Sequence, residues 1–97
     1  MEDPFLARTG LSMEEIVRRG QEIYERDLKH KLEPQHNGDF IVINVRNGDY
    51  ALDKDPLRAG DVMEAKYPGG AFFEGRVGRP TAYRLGPSLR IRSRHVA

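Results

Sequence analysis

Histidine and acidic side chains occur together in one stretch of the chain, where they could ligate a metal ion. The stretch holds two histidines and two acids: Asp27, His30, Glu33 and His36. Their spacing matches no recognised site, and Pro34, which ends a predicted helix, separates the two histidines. A stable site needs several convergent ligands. We therefore predict that these side chains are solvated or cap the helix and hold no metal.

A second acidic stretch superficially resembles a calcium-binding loop. It comprises Asp49, Asp53 and Asp55. A calcium loop has a central glycine and a terminal glutamate, and this spacing lacks both. Each aspartate has a simpler role. Asp49 is the cross-strand partner of Arg46, Asp53 ends a strand, and Asp55 caps a helix. The sequence again predicts no metal.

No grouping in the sequence predicts covalent catalysis or phosphate transfer. The chain has no cysteine, which excludes disulfides and thiolate chemistry. No set of serine, histidine and acid has the sequence context of a catalytic triad. Gly78-Arg79-Pro80 lacks the spacing and the following Lys-Ser/Thr of a phosphate-binding loop. We therefore predict no cofactor and no enzymatic activity.

Arginines are concentrated near the C-terminus, where they could bind an anionic partner. Residues 1–55 carry 8 Lys/Arg against 12 Asp/Glu, whereas residues 56–97 carry 8 against 3. Such a segment suits a polyanion or the acidic face of a protein, and a tyrosine within it could stack on a base. The candidate interaction residues of this segment are Arg76, Arg79, Tyr83, Arg84, Arg90, Arg92 and Arg94.

Residues 11–33 are predicted to form the main helix of the domain. Ser12 and Glu15 have the spacing of a capping box, which specifies the start of the helix. Apolar side chains then recur along one stripe at helical spacing, so this stripe faces a core or a partner. Gly20 lies on the stripe and is expected to allow another element to pack closely.

Asp27 completes the set of candidate interaction residues. Its angle on the helix places it on the same apolar stripe, where an unpaired carboxylate would be costly. We predict a structural salt bridge with Lys31 or with an arginine of the C-terminal segment. The alternative is a role at an interface or site.

Two alternating apolar runs around Asn47-Gly48 predict a β-hairpin over residues 39–53. An Asn-Gly pair supplies the positive φ that both central positions of a type I′ turn require. The resulting register places Ile43 opposite Leu52 on an apolar face. It also pairs Val45 with Tyr50 and Arg46 with Asp49.

The second half of the chain is predicted to repeat the alternation of helix and strands. Asp55 and Pro56 begin a short helix that ends at about Tyr67. Residues 71–77 form a third strand, and residues 78–81 connect it to a fourth at 82–85. The order α-β-β-α-β-β describes an α+β fold, an N-terminal helix plus two β-hairpins separated by a short helix, with an antiparallel sheet. We expect a single domain over residues 1–97, with flexible tails at 1–10 and 87–97.

Three segments of the chain carry a resemblance to known proteins. They are Arg19–Glu25, Asn47–Tyr50 and Arg76–Gly86, and the most specific is the run Arg-Val-Gly-x-Pro-x-x-Tyr-Arg-Leu-Gly. Over about residues 13–86 the chain resembles a family of small uncharacterised bacterial proteins, which has no established activity or catalytic residues. Genes of that family often neighbour genes for retropepsin-like proteases or toxin–antitoxin-like systems. The resemblance therefore implies a partner protein, and because the chain lacks Asp-Thr/Ser-Gly it resembles the companion and not the protease.

Taken together, these patterns predict a non-enzymatic bacterial interaction or regulatory module, antitoxin-like or an adaptor, that binds another protein. A homodimer is also expected, because a short chain can bury surplus apolar surface by dimerising. The alternative is a nucleic-acid-binding protein that uses the arginine-rich C-terminal segment. No apolar stretch approaches the roughly 20 residues of a membrane span, and the N-terminus has no secretory-signal pattern. We therefore expect a cytoplasmic location and no membrane partner.

Overall fold

A computed structural model describes residues 4–78 of the chain. The elements in chain order are α1 (Pro4–Thr9), α2 (Met13–Ile23), a π-helical turn (Tyr24–Leu28), α3 (Lys29–Leu32), β1 (Phe40–Asn44), β2 (Tyr50–Asp53), α4 (Pro56–Lys66) and β3 (Phe72–Arg76). The strands form one antiparallel sheet in the order β2-β1-β3. These elements confirm the predicted α+β class and antiparallel sheet. None of the helices in this part of the chain is both long and apolar enough to cross a membrane.

The long helix (residues 13–32) consists of α2, the π-helical turn and α3, which follow one another without a break. It begins as predicted, because Ser12 is the N-cap and its Oγ accepts a hydrogen bond from the backbone N–H of Glu15 at 3.1 Å. The predicted apolar stripe is confirmed over most of its length, although Met13 is exposed. The buried members are Ile16, Gly20, Ile23, Tyr24, Leu28 and Leu32.

The π-helical turn changes which side chains face the sheet. Here the backbone N–H of Lys29 donates to the carbonyl of Tyr24, five residues earlier, instead of the usual four. Leu28 is buried in this turn, whereas Asp27 is exposed. The prediction that Asp27 lies on the apolar stripe is therefore wrong, because it assumed uniform α-helical spacing.

The predicted hairpin is confirmed, but its predicted register is wrong by two residues. Ile43 lies opposite Tyr50, and Ile41 lies opposite Leu52. A shift of one residue would reverse the two faces of a strand, whereas a shift of two preserves them. The apolar side chains predicted to share a face therefore still do so.

The β1–β2 loop (residues 45–49) is longer than a two-residue turn, which explains the shift. Gly48 has a φ of +83°, but no residue other than glycine has a positive φ among those described, so the turn is not of type I′. The backbone N–H of Gly48 donates to the carbonyl of Asn44 at 2.7 Å. Val45 leaves the hairpin and donates its backbone N–H to the carbonyl of Ala71 at 3.0 Å.

The larger apolar cluster lies between the long helix and the sheet. At Gly20 the two layers come so close that an added Cβ would lie 2.7 Å from Cδ2 of Phe73 and nearer still to its Cβ and Cγ. The prediction that Gly20 allows close packing is therefore confirmed. The buried members of the cluster are Ile16, Ile23, Tyr24, Leu28, Leu32, Ile41, Ile43, Val45, Ala71, Phe73 and Val77.

The opposite face of the sheet is covered by α4, which packs against β1 and β2. As predicted, Asp55 caps this helix, and its side chain accepts from the backbone N–H of Leu57 at 2.9 Å. Proline at the first helical position also matches the prediction. The buried apolar cluster on this face is smaller and consists of Val42, Ala59, Met63 and Phe72.

Two further predictions concern the ends of the chain. Residues 4–9 form α1 where a flexible tail was predicted, and Nη2 of Arg8 in this helix lies 3.9 Å from Oε2 of Glu64 in α4.

The third strand is present as β3, but its partner in the described sheet is β1. The predicted fourth strand at 82–85 and the tail at 87–97 lie outside the described residues.

Candidate anion-binding groove

A groove of about 500 Å³ runs between the long helix and the β1–β2 loop. We call it the arginine groove, because four of its lining residues are arginines and only two are acids. Two buried residues of the larger apolar cluster, Ile23 and Val45, line it as well, together with the loop residues Asn47 and Gly48. The charged residues of the lining are Arg18, Arg19, Glu22, Arg26, Asp27 and Arg46.

The helical wall of the groove is ordered by ion pairs with Glu15. Its Oε2 accepts from Nη2 of Arg18 at 2.8 Å and from Nε of Arg19 at 3.0 Å. These bonds, with that from Arg19 contributing most, lower the pKa of Glu15 below its usual value. Arg18 also lies 3.6 Å from Glu22, four residues on. The carboxylates thus hold two neighbouring guanidinium groups beside the groove.

Arg26 and Asp27 form a bidentate pair at the same wall. Nε and Nη2 of Arg26 donate to Oδ1 and Oδ2 of Asp27, each at 2.9 Å. The hydrogen bond from Arg26 lowers the pKa of Asp27 and keeps it ionised. Asp27 thus forms a salt bridge, but its partner is the adjacent, exposed Arg26 and not the predicted Lys31, so the pair does not join two elements of the fold.

The loop wall is shaped by two asparagines. Asn44 is 5 % exposed, and its Oδ1 accepts from the backbone N–H of Arg46 at 2.9 Å. Oδ1 of Asn47 accepts from the backbone N–H of Asp49 at 2.9 Å. These side-chain bonds replace the backbone pairing of a tight hairpin. Arg46 is directed away from the predicted cross-strand pair, since its Nη2 donates to the carbonyl of Thr9.

Asp49 joins the β1–β2 loop to the end of α4 through two hydrogen bonds, which we call the Asp49 clasp. Its Oδ2 accepts from the hydroxyl of Tyr67 at 2.7 Å and from Nζ of Lys66 at 2.9 Å. These two bonds, that from Tyr67 first, lower the pKa of Asp49 to about 2. The predicted Arg46–Asp49 pair is therefore wrong, because the wider loop separates the two side chains and α4 supplies the partners.

A second polar junction joins the long helix to the end of β3. The hydroxyl of Tyr24 donates to Oε2 of Glu33 at 2.6 Å and accepts from the backbone N–H of Gly78 at 3.2 Å. Burial and the bond to Glu33 raise the pKa of Tyr24 to about 12. The phenol therefore keeps its proton and acts as a fixed link between helix and strand.

The two predicted site residues within residues 4–78, Asp27 and Arg76, lie in different parts of the molecule. Asp27 lines the arginine groove, whereas Arg76 lies on β3 with its guanidinium 4.7 Å from the ring centre of Phe40 and its Nε 3.3 Å from the carbonyl of Gly38. The remaining candidates, Arg79, Tyr83, Arg84, Arg90, Arg92 and Arg94, lie outside the described residues.

Sequence reasoning missed the arginines that line the groove. The sequence gives no reason to select Arg18 or Arg26 as candidate site residues, and it predicts for Arg46 only a cross-strand pair with Asp49. The signal that was present is an accumulation of arginine opposite the apolar stripe, but it does not show which loop lies beside it.

His36, one of the residues considered above as metal ligands, lies beside an acidic side chain instead. Nδ1 of His36 lies 3.3 Å from Oδ2 of Asp39, and Nζ of Lys54 lies 3.3 Å from the other oxygen. Within residues 4–78 no group of three or more His, Cys, Asp or Glu residues is placed to hold a metal ion. The absence of a metal in the whole protein stays a prediction.

Comparison with models of protein families, with curated proteins and with solved structures gave no match for this chain. The resemblance to small bacterial proteins therefore stays a prediction, and the arginine groove is interpreted from its own geometry.

Proposed function

We propose that the chain is a non-enzymatic interaction module of the cytoplasm that binds another protein, as an adaptor or a regulatory, antitoxin-like partner. The observation that carries the proposal is that two separate elements, the long helix and the β1–β2 loop, place four arginines along one groove. Arginine is enriched at protein interfaces, because its planar group donates several hydrogen bonds and packs on apolar surface.

A role in folding does not explain these arginines well. The side chains of Arg18 and Arg26 are 61 % and 62 % exposed, and exposed ion pairs contribute little to stability. Their acidic partners instead restrict the conformations of the guanidinium groups, which lowers the entropy lost when a ligand binds. An exposed surface that carries several arginines is what a binding module requires.

The large pKa shifts lie away from the groove. The two large pKa shifts among the described residues belong to Tyr24 and Asp49, and each of these side chains joins two structural elements. Neither residue lines the groove. Strongly shifted groups in a cleft would favour a catalytic interpretation, and here they lie elsewhere.

Affinity capture from the native host tests the proposal. The baits are the full-length chain, the groove variant R18Q/R26Q and the control variant K54Q/R58Q, which loses the same charge outside the groove. We expect a specific protein to bind the unmodified chain and the control but not the groove variant. The proposal fails if no protein is enriched, or if all three baits capture the same proteins equally.

A second candidate function is nucleic-acid binding through the arginine-rich C-terminal segment. The charge distribution favours it, since residues 56–97 carry 8 Lys/Arg against 3 Asp/Glu. Filter binding at two salt concentrations, with the full chain and a chain truncated after Pro87, separates the two functions. Tight and salt-dependent binding that is lost on truncation would favour the nucleic-acid function, because phosphate contacts release counterions.

The homodimer predicted from the sequence also stays a proposal. Size-exclusion chromatography with light scattering measures the mass of the particle directly. A mass of one chain at high protein concentration would contradict it.

A further inference from the structure

We infer that the arginine groove binds a short, carboxylate-rich peptide segment and not the phosphate backbone of a nucleic acid. This inference rests on the proposed function and names the chemistry by which the partner protein is recognised. It follows from the bonding geometry of the arginines, from the shape of the loop wall and from the charges around the groove.

Two of the arginines, Arg19 and Arg26, can each bind a carboxylate without losing their present partners. Arg26 binds Asp27 through Nε and Nη2, and in the described contacts Arg19 binds Glu15 through Nε alone. A guanidinium group has more N–H donors than one carboxylate occupies. The remaining edge offers the parallel pair of donors that fits the two oxygens of a second carboxylate.

The loop wall is open to an approaching chain. A Cβ placed on Gly48 would meet no atom within 4 Å, so a peptide can approach the loop backbone there. Asn47 can add an amide N–H donor, because its Oδ1 already accepts from the backbone N–H of Asp49. Donors on both walls favour a ligand that is rich in acceptors.

The surrounding charges favour a short segment with spaced carboxylates over a polyanion. Glu22 and Asp27 lie within the groove, and Glu14 and Glu25 are exposed on the same helix. Duplex DNA carries one charge for about every 1.7 Å of its axis, so a bound backbone would lie against these acids. A peptide can direct isolated carboxylates to the arginines and place neutral residues elsewhere.

The test is a titration of the full-length, ¹⁵N-labelled chain, followed by NMR of the arginine Nε–Hε groups. The probes are a synthetic peptide of alternating glutamate and alanine, its glutamine–alanine counterpart and an oligothymidylate of the same charge as the glutamate peptide. We expect the glutamate peptide alone to shift the signals of Arg19 and Arg26 in a saturable manner. Its affinity should fall about tenfold or more in R18Q/R26Q and change by less than about twofold in K54Q/R58Q.

Three results would overturn the inference. The first is saturation of the same arginine signals by the oligothymidylate at a lower concentration than by the glutamate peptide. The second is the absence of saturable shifts at these arginines, and the third is equal peptide affinity in the groove variant. The capture experiment separates these failures from failure of the proposed function: a partner captured only by chains with an intact groove would keep the function and reject the peptide chemistry. Peptide binding without any captured protein would keep the peptide chemistry and reject the proposed function.

Discussion

The two faces of the sheet are held by different kinds of interaction. On the long-helix face the larger apolar cluster packs tightly, and Gly20 has no room for even one more carbon atom beside Phe73. On the α4 face the apolar cluster is smaller, and Asp49 adds a polar clasp to Lys66 and Tyr67. Steric fit therefore places the helical wall of the arginine groove, whereas hydrogen bonds and charge hold the loop that forms the other wall.

The largest effect on stability is expected from a change in the steric fit at Gly20. Alanine is normally favoured over glycine in a helix by about 1 kcal/mol. Here the added Cβ would overlap Phe73, and such overpacking costs about 1–3 kcal/mol, so Gly20→Ala should lower the melting temperature despite its helix propensity. Thermal unfolding followed by circular dichroism measures the change.

A neighbouring variant and a second-site variant make this test specific. Gln21→Ala changes an exposed position on the same helix and should leave the melting temperature nearly unchanged. The cost of Gly20→Ala should shrink when Phe73→Leu is also present, since the two side chains are in contact. A rise in the melting temperature of Gly20→Ala would contradict the proposed close approach.

A smaller effect is expected at the hydroxyl of Tyr24, which links the same helix to the end of β3. Tyr24→Phe removes the donor to Glu33 and the acceptor of the backbone N–H of Gly78. Loss of such a partly buried link costs about 1–2 kcal/mol. Urea denaturation measures it, with Tyr50→Phe as the control because the Tyr50 hydroxyl forms no hydrogen bond within residues 4–78. Equal unfolding midpoints for the two variants would show that the junction contributes nothing.

The clasp on the α4 face should appear as a dependence of stability on pH. The pKa of Asp49 is lowered from its ordinary value of 3.8 to about 2, so the folded state binds its proton less readily than the unfolded state. The stabilisation of the folded state by Asp49 is complete above the ordinary pKa of 3.8 and is lost as the pH falls through about 2. Tyr67→Phe, which removes the largest contribution, should reduce the loss of stability in this range. Parallel curves of unfolding midpoint against pH for the two proteins would contradict the clasp.

The smallest effect on stability is expected in the groove itself. Arg18 and Arg26 are largely exposed, and within residues 4–78 their ion pairs are with neighbouring residues of their own helix. The variant R18Q/R26Q should therefore unfold at nearly the same urea concentration as the unmodified chain. A large fall in the midpoint would show that these arginines serve the fold.

Elements with strong local signals could be predicted from the sequence. The caps at Ser12 and Asp55, the hairpin position and the role of Gly20 follow from residue types and their spacing. The π-helical turn could not be predicted, because it is an interruption of the regular spacing from which the position of Asp27 was inferred. The hairpin register failed for a related reason, since Val45 pairs toward β3 and the turn must widen to allow it.

The groove could not be predicted because it joins residues that are distant in the sequence. Arg18 and Arg26 come from the long helix and Arg46 from the loop, and only the packing of the helix on the sheet makes them neighbours. Propensity and periodicity describe one element at a time. The charge of the C-terminal segment was easier to recognise, although that segment lies largely outside the described residues.

The central claim is that Arg18 and Arg26 serve binding and not folding. Capture of the partner protein by the groove variant tests this claim most directly. Quantitative mass spectrometry compares the proteins retained by the full chain, by R18Q/R26Q and by K54Q/R58Q, after each bait has been shown to be folded. We expect one protein to be retained by the full chain and by K54Q/R58Q and to be lost from R18Q/R26Q. Equal retention of that protein by all three baits would contradict the claim.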